Sequence, residues 1–160
     1  MRSREAGISA RGNEVRGYFG IGIFHNKTPS NLGTLWRSAY QLGAEFIFTI
    51  GCRYSKQASD TLQTWRHVPL LTFKDWDDFK EHIPYSCPIV AVEMGGRDIS
   101  TFVHPERAVY LLGAEDHGIP AQYLAQCPLH LSLPSIRTNS FNVAVAGSIV
   151  MFDRTMKSAV

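Results

Sequence analysis

Two stretches of the carboxyl-terminal half concentrate residues able to do chemistry. One is Leu112-Gly113-Ala114-Glu115-Asp116-His117-Gly118, a turn that mixes glycines with acids; the other is Leu133-Pro134 leading to Ser140-Phe141-Asn142. A third, Asn31-x-Gly33-x-x-x-Arg37, lies near the start of the chain. A turn directly after an apolar strand is where open α/β sheets bind ligands, in the crevice at the carboxyl ends of their strands. Gly113 holds that position and would let a ligand approach the backbone, while Gly118 suits a turn with positive φ. Glu115 either orients a guanidinium from the loop or is the solvated acid of a surface turn. Arg37 stands one turn after Gly33, near a helix start where free N–H groups and the dipole favour phosphate. It reads as an anion-binding guanidinium or as a surface arginine on a solvated face. Helix capping accounts for Ser140 without any function, whereas Asn142, set among apolar neighbours, needs partners for its amide.

These groups can act together only if regular elements bring them together. Residues 18–24 form a short apolar run bounded by turn formers, which predicts a buried strand. Thr28-Pro29-Ser30-Asn31 then opens a helix whose Leu32, Leu35, Trp36 and Ala39 make one apolar stripe. Further strands are predicted over residues 45–50, 69–73, 88–92, 108–112 and 129–133, with a short surface helix over 76–82 stopped by Pro84. The polar stretch 52–66 carries no readable period. Strands alternating with helical patterns predict an α/β fold with a mostly parallel sheet and helices on both faces. A last helix over 140–156 has Phe141, Val143, Val145, Ile149, Val150 and Phe152 around much of its circumference. Burial on more than one side is therefore expected, and with it a homodimer.

Composition narrows the class. With 160 residues, 44% of them apolar and 19% charged, the chain has the make-up of a single soluble domain. That domain is expected over residues 17–160, behind a polar basic tail at 1–16 where Arg2, Arg4, Arg11 and Arg16 outnumber Glu5 and Glu14. The tail reads as a mobile terminus or as an RNA-binding arm. A formal charge of +2 is too small to identify a nucleic-acid binder by itself. Cys52, Cys87 and Cys127 are odd in number and widely spaced, which argues against a disulfide framework and for a reducing, cytoplasmic setting. No run approaches the ~20 apolar residues of a membrane span, and no signal-peptide pattern opens the chain. The histidines lack metal-ligand spacing, so no metal is expected. Gly20-x-Gly22 begins a dinucleotide fingerprint but meets His25 where the third glycine belongs, and no Gly-x-Ser-x-Gly elbow occurs.

Taken together and in order, Asn31-x-Gly33-x-x-x-Arg37, Leu112-Gly113-x-Glu115-x-x-Gly118 and Leu133-Pro134 followed by Ser140-Phe141-Asn142-Val143-Ala144-Val145-Ala146 resemble the three signature motifs of SPOUT-superfamily RNA methyltransferases of TrmH type. The resemblance covers roughly residues 17–156. It implies methyl transfer from S-adenosylmethionine to a ribose 2′-hydroxyl of tRNA or rRNA, by a homodimer whose carboxyl-terminal part is threaded into a trefoil knot around the cofactor. By position, Arg37 matches the family's catalytic arginine, acting as base or as positioner of the hydroxyl. Asn31, Glu115, Ser140 and Asn142 match the other polar motif positions. Val92, Gly113, Leu133, Ser140 and Phe141 match positions that hold the cofactor. Phe141 stands where the family more usually has leucine, and the 134–140 loop lacks a glycine. Arg137, Lys27 and the tail arginines are candidates for RNA phosphates, which would make binding salt dependent. Two other readings share the pattern: a catalytically silent RNA-binding factor on the same fold, and a methyltransferase acting on a molecule other than RNA.

Overall fold

The computed structural model describes residues 17–52, 63–114, 117–138 and 140–158. Six strands, β1 (Tyr18–Phe24), β2 (Phe46–Ile50), β3 (Leu70–Phe73), β4 (Ile89–Asp98), β5 (Arg107–Leu112) and β6 (Leu129–Ser132), pair into one sheet of order β3-β2-β1-β5-β4-β6. Every pairing is parallel. A parallel sheet must be covered on both faces, and the side chains sort accordingly. On one face Ile21, Ile23, Tyr110 and Leu112 pack with α1 (Pro29–Leu42) and α4 (Val143–Ser158). On the other Phe48, Phe73, Val109 and Leu111 meet α2 (Trp76–His82), while Tyr123 and Leu124 of α3 (Ala121–Leu124) pack against the same cluster.

Local chemistry explains the elements. Pro29 opens α1, and Gly43 closes it in the left-handed conformation at φ 85°. The stripe Leu32, Leu35, Trp36 and Ala39 is buried. Asp75 caps α2 by accepting the N–H of Asp78 at 2.9 Å. Gly20 and Gly22 of β1 owe nothing to a dinucleotide: a Cβ at either would fall within 2.5 Å of Phe46 or Phe48 on the neighbouring strand, whose rings occupy that space. At Gly147 of α4, a Cβ would meet Leu35 Cδ1 at 2.5 Å, so the helix lies close over α1 and the sheet. Ser148 Oγ reaches Ser38 Oγ at 2.8 Å across the same contact.

Two predicted boundaries shift by three residues or more. The last helix begins at Val143 rather than 140, because Asn142 and not Ser140 is its cap: the Asn142 side-chain oxygen accepts the N–H groups of Ala144 (3.0 Å) and Val145 (3.2 Å). β4 runs on to Asp98, past the predicted end at 92. The turn Thr64–Arg66 and the four-residue α3 were not legible as elements, since neither is long enough to display a period. The basic tail, the residues between 52 and 63, and Glu115 lie outside the described residues.

Beneath the amino-terminal ends of β1 and β5 a polar cluster is closed on itself. The Arg154 side chain, 3% exposed, donates to the carbonyls of Pro105 (2.6 Å) and Glu106 (2.7 Å) and to the Tyr110 hydroxyl (3.1 Å). Its guanidinium also lies 4.9 Å from the Phe19 ring centre. The Tyr110 hydroxyl in turn meets His104 Nδ1 at 2.6 Å and His104 Nε2 meets Asp153 at 2.8 Å, an arrangement that suits the neutral ring with its proton on Nε2. Lys157 completes the chain by pairing with Asp153 at 2.8 Å. Burial pushes the His104 pKa down against the pull of Asp153, and pushes the Tyr110 hydroxyl up to about 12.

Candidate functional site

Where β5 and β6 end and β4 bulges out of its ladder, a cavity of about 380 Å³ opens. Val92 and Leu112, the last core residues of their strands, form its floor with Leu133 just beyond β6. Phe141, Val143 and Ala146 add an apolar wall from the start of α4. Gly113, Ala114 and Gly118 border it from the turn after β5. The cavity thus sits at the carboxyl ends of parallel strands, the usual ligand crevice of such sheets.

Glycine at 113 is required by the chain's own loop. Ala114 and Gly118 make an isolated bridge, with Gly118 N–H donating to the Ala114 carbonyl at 2.9 Å. A Cβ on Gly113 would come within 2.6 Å of the Gly118 backbone and 2.8 Å of the Ile119 nitrogen. Gly118 holds φ 62°, as a turn glycine should.

Of the residues singled out from sequence, Val92, Gly113, Leu133, Ser140, Phe141 and Asn142 all border this one cavity. Asn31 joins them through its partner, because Asn142 Nδ2 donates to Asn31 Oδ1 at 3.1 Å. One amide therefore caps α4 and ties it to the first turn of α1, which answers how Asn142 satisfies its polar atoms. Arg37 is elsewhere. It is exposed on α1, about 9 Å along the helix from Asn31 and rotated by roughly a third of a turn, and it does not line the cavity. Lys27 and Arg137 are exposed as well.

Sequence reasoning missed Glu93 and Met94, which also line the cavity. The pairing of β4 with β6 shifts between Val92 and Arg97, both of which face Leu131, so the residues between them bulge out of the ladder. Gly95 takes φ 85° there, and a Cβ on Gly96 would come within 2.7 Å of the His130 carbonyl carbon and the Leu131 nitrogen. The signal was present: a Gly-Gly pair inside a strand pattern marks a bulge or close backbone approach.

Among the described residues, no group of three His, Cys, Asp or Glu side chains is placed to hold a metal ion, and no helix is long and apolar enough to cross a membrane. The thiols of Cys52, Cys87 and Cys127 are free, and burial raises that of Cys127 to about 11.

Comparison with known proteins agrees with this architecture. A mouse protein described as tRNA (guanosine(18)-2′-O)-methyltransferase TARBP1 is 26% identical over 140 residues, 79% of this chain but 9% of that protein. An AdoMet-bound rRNA methyltransferase from Sinorhizobium meliloti superposes with a TM-score of 0.77 at 22% identity, covering 96% of this chain and 61% of that one. A structure solved for insight into the 2-OH methylation of C/U34 on tRNA gives 0.75 at 23% identity, covering 88% of this chain and 91% of that one. At these identities the two solved structures speak for a shared fold. The sequence match to the family itself runs through residues 19–152, from β1 into the last helix, and the chain belongs to the SpoU rRNA methylase family.

Proposed function

We propose that this chain is an S-adenosylmethionine-dependent methyltransferase that modifies a ribose 2′-hydroxyl of tRNA or rRNA. The observation that carries the reading is the convergence of residues 92–94, of 112–114 with 118, and of 133 with 140–143 and 146 on one cavity at the sheet's carboxyl edge. The residues fit such a cofactor. About 380 Å³ lies within the range of small-molecule sites, and Val92, Leu112, Leu133 and Phe141 offer apolar surface to an adenine. Of the proteins described above, one is a tRNA guanosine 2′-O-methyltransferase, a second was solved for insight into 2-OH methylation on tRNA and a third was solved with AdoMet bound, which supports the same assignment here.

When bound, S-adenosylmethionine supplies an electrophilic methyl group on a sulfonium. The chain's part is to align a hydroxyl with it, and alignment of two reactants can contribute several kcal/mol. Asn142 and Asn31 hold the start of α4 against α1, so the Phe141 wall keeps its place. Arg37 positions the ribose hydroxyl or accepts its proton with the help of an RNA phosphate. Glu115 and Ser140 belong to the same polar set.

Because Arg37 does not line the cavity of its own subunit, the reading includes a homodimer that brings it to a partner's cavity. Support for the dimer comes from α4, where Val145, Ile149, Phe152 and Met156 recur on one stripe and Val145, Phe152 and Met156 are exposed in the single chain. A trefoil knot around the cavity and a reducing, cytoplasmic location belong to the same reading.

The test is methyl transfer from labelled S-adenosylmethionine to tRNA and rRNA. Wild type is expected to label RNA and Arg37→Ala to abolish labelling while unfolding at the same denaturant concentration. Mixing Arg37→Ala with a cavity variant should restore part of the activity if the site is shared between subunits. RNA binding without methylation by wild type would favour the silent RNA-binding factor instead.

A further inference from the structure

The cavity contains one feature that neither the family motifs nor the alignment mechanism uses. Among the described residues that line it, Glu93 is the single charged side chain; the others are apolar, glycine, Ser140 and Asn142. The bulge after Val92 puts it there, since without the extra residues of that bulge β4 would continue its ladder with β6.

Among the described residues, its carboxylate meets backbone N–H groups alone. Oε2 accepts the Ile119 N–H at 3.0 Å, at the far end of the turn after β5, and Oε1 stands 3.4 Å from the Met94 N–H. Gly118 leaves room for it, because a Cβ there would come within 2.8 Å of Oε2. Among the described residues, none of the ion pairs involves Glu93. A carboxylate that is half buried beside apolar walls, held by backbone donors and paired with no cation among the described residues, adds a negative charge to the cavity.

We propose that Glu93 is a specificity-determining residue that makes the cavity favour the positively charged methyl donor over its neutral demethylated product. The inference rests on the reading that S-adenosylmethionine occupies this cavity. The donor carries a sulfonium, an ammonium and a carboxylate, one net positive charge; the product left after methyl transfer, S-adenosylhomocysteine, is a thioether with none. Its adenine, ribose and amino-acid parts are otherwise the same, so apolar walls and backbone donors hold the two alike. A fixed negative charge separates them. Glu93 would then attract the donor, and lose part of that attraction once the methyl has left, which promotes product release.

The experiment is calorimetric titration of the full chain with S-adenosylmethionine and, separately, S-adenosylhomocysteine. Glu93→Gln keeps an oxygen able to accept the Ile119 N–H while removing the charge. The expected result is an approximately tenfold weaker affinity for the donor with product affinity changed less than about twofold. Glu93→Asp should recover part of the preference, and in wild type the preference should shrink as salt is raised. An equal loss for both ligands in Glu93→Gln would reduce Glu93 to a structural support of the turn and overturn the inference while leaving the cofactor reading intact. If the wild-type chain binds neither ligand, the cofactor reading itself fails and takes the inference with it. Should Glu93→Gln not fold, a donor-to-product ratio in wild type that does not respond to salt would overturn the inference alone.

Discussion

The two ends of the sheet handle polar groups in opposite ways. Beneath β1 and β5, Arg154, Tyr110, His104, Asp153 and Lys157 satisfy one another and the carbonyls of residues 105 and 106 within the fold. At the β4 bulge and beyond β5 and β6, Glu93, Ser140 and Asn142 border an open cavity whose walls are otherwise apolar or glycine. Both ends hold charged side chains, yet only the second leaves one facing space without a cation among the described residues. A closed network buries its donors and acceptors against each other and so contributes to stability and a unique packing. An open one leaves interaction capacity for a ligand. The contrast fits ligand binding at the carboxyl edge and structural support at the amino edge, and it can be broken at either.

The largest effect is expected at the closed end. Arg154→Ala leaves two backbone carbonyls and the Tyr110 hydroxyl without their donor and removes the contact with Phe19, so it should cost about 3 kcal/mol or more. Urea unfolding measures this, and cofactor affinity of the remaining folded protein should change little. Gly113→Ala should do the reverse. Its Cβ collides with backbone rather than with a flexible side chain, so the turn after β5 must move. Loss of S-adenosylmethionine affinity by roughly tenfold or more, about 1.4 kcal/mol, is expected in calorimetry, with a smaller change in the urea midpoint.

Asn142→Ala sharpens the comparison, because this residue both caps α4 and lines the cavity. It removes the cap of α4 and the bridge to Asn31, which should cost about 1 kcal/mol in thermal or urea unfolding and also weaken cofactor binding. The smallest effect is the pH dependence of the closed network. Burial lowers the His104 pKa below its ordinary 6.5, so as pH falls the unfolded chain takes up the proton before the folded one does. Stability should be level above that value and decline as pH falls through it toward the folded pKa. Urea midpoints measured across this window should show the decline in wild type, and His104→Gln should flatten it.

How far the sequence could be read differs by element. β1 and α2 match their predicted bounds, and the other five predicted strands are present, because apolar runs of that length between turn formers leave little choice. The bulge in β4 escaped, although Gly95-Gly96 announced it, because the pattern up to Val92 already made a complete strand. The start of α4 was placed three residues early, since Ser140 and Asn142 are both good caps and sequence alone does not rank them. At the site, the motif residues could be listed but not arranged. Nothing in the spacing of Asn31 and Asn142 reveals that their amides meet across 111 positions.

What the amino-acid sequence determined by itself is the parallel α/β class, the strand and helix inventory and the motif set that marks the family, all of which depend on local period and on residue type. The resemblance grouped Val92, Gly113, Leu133 and Phe141, but tertiary structure alone decided the shape of the cavity they share, that Arg37 lies off it, and that Glu93 belongs to it. These depend on how strands order in the sheet, β3-β2-β1-β5-β4-β6, and strand order is set by packing between distant segments rather than by any local preference.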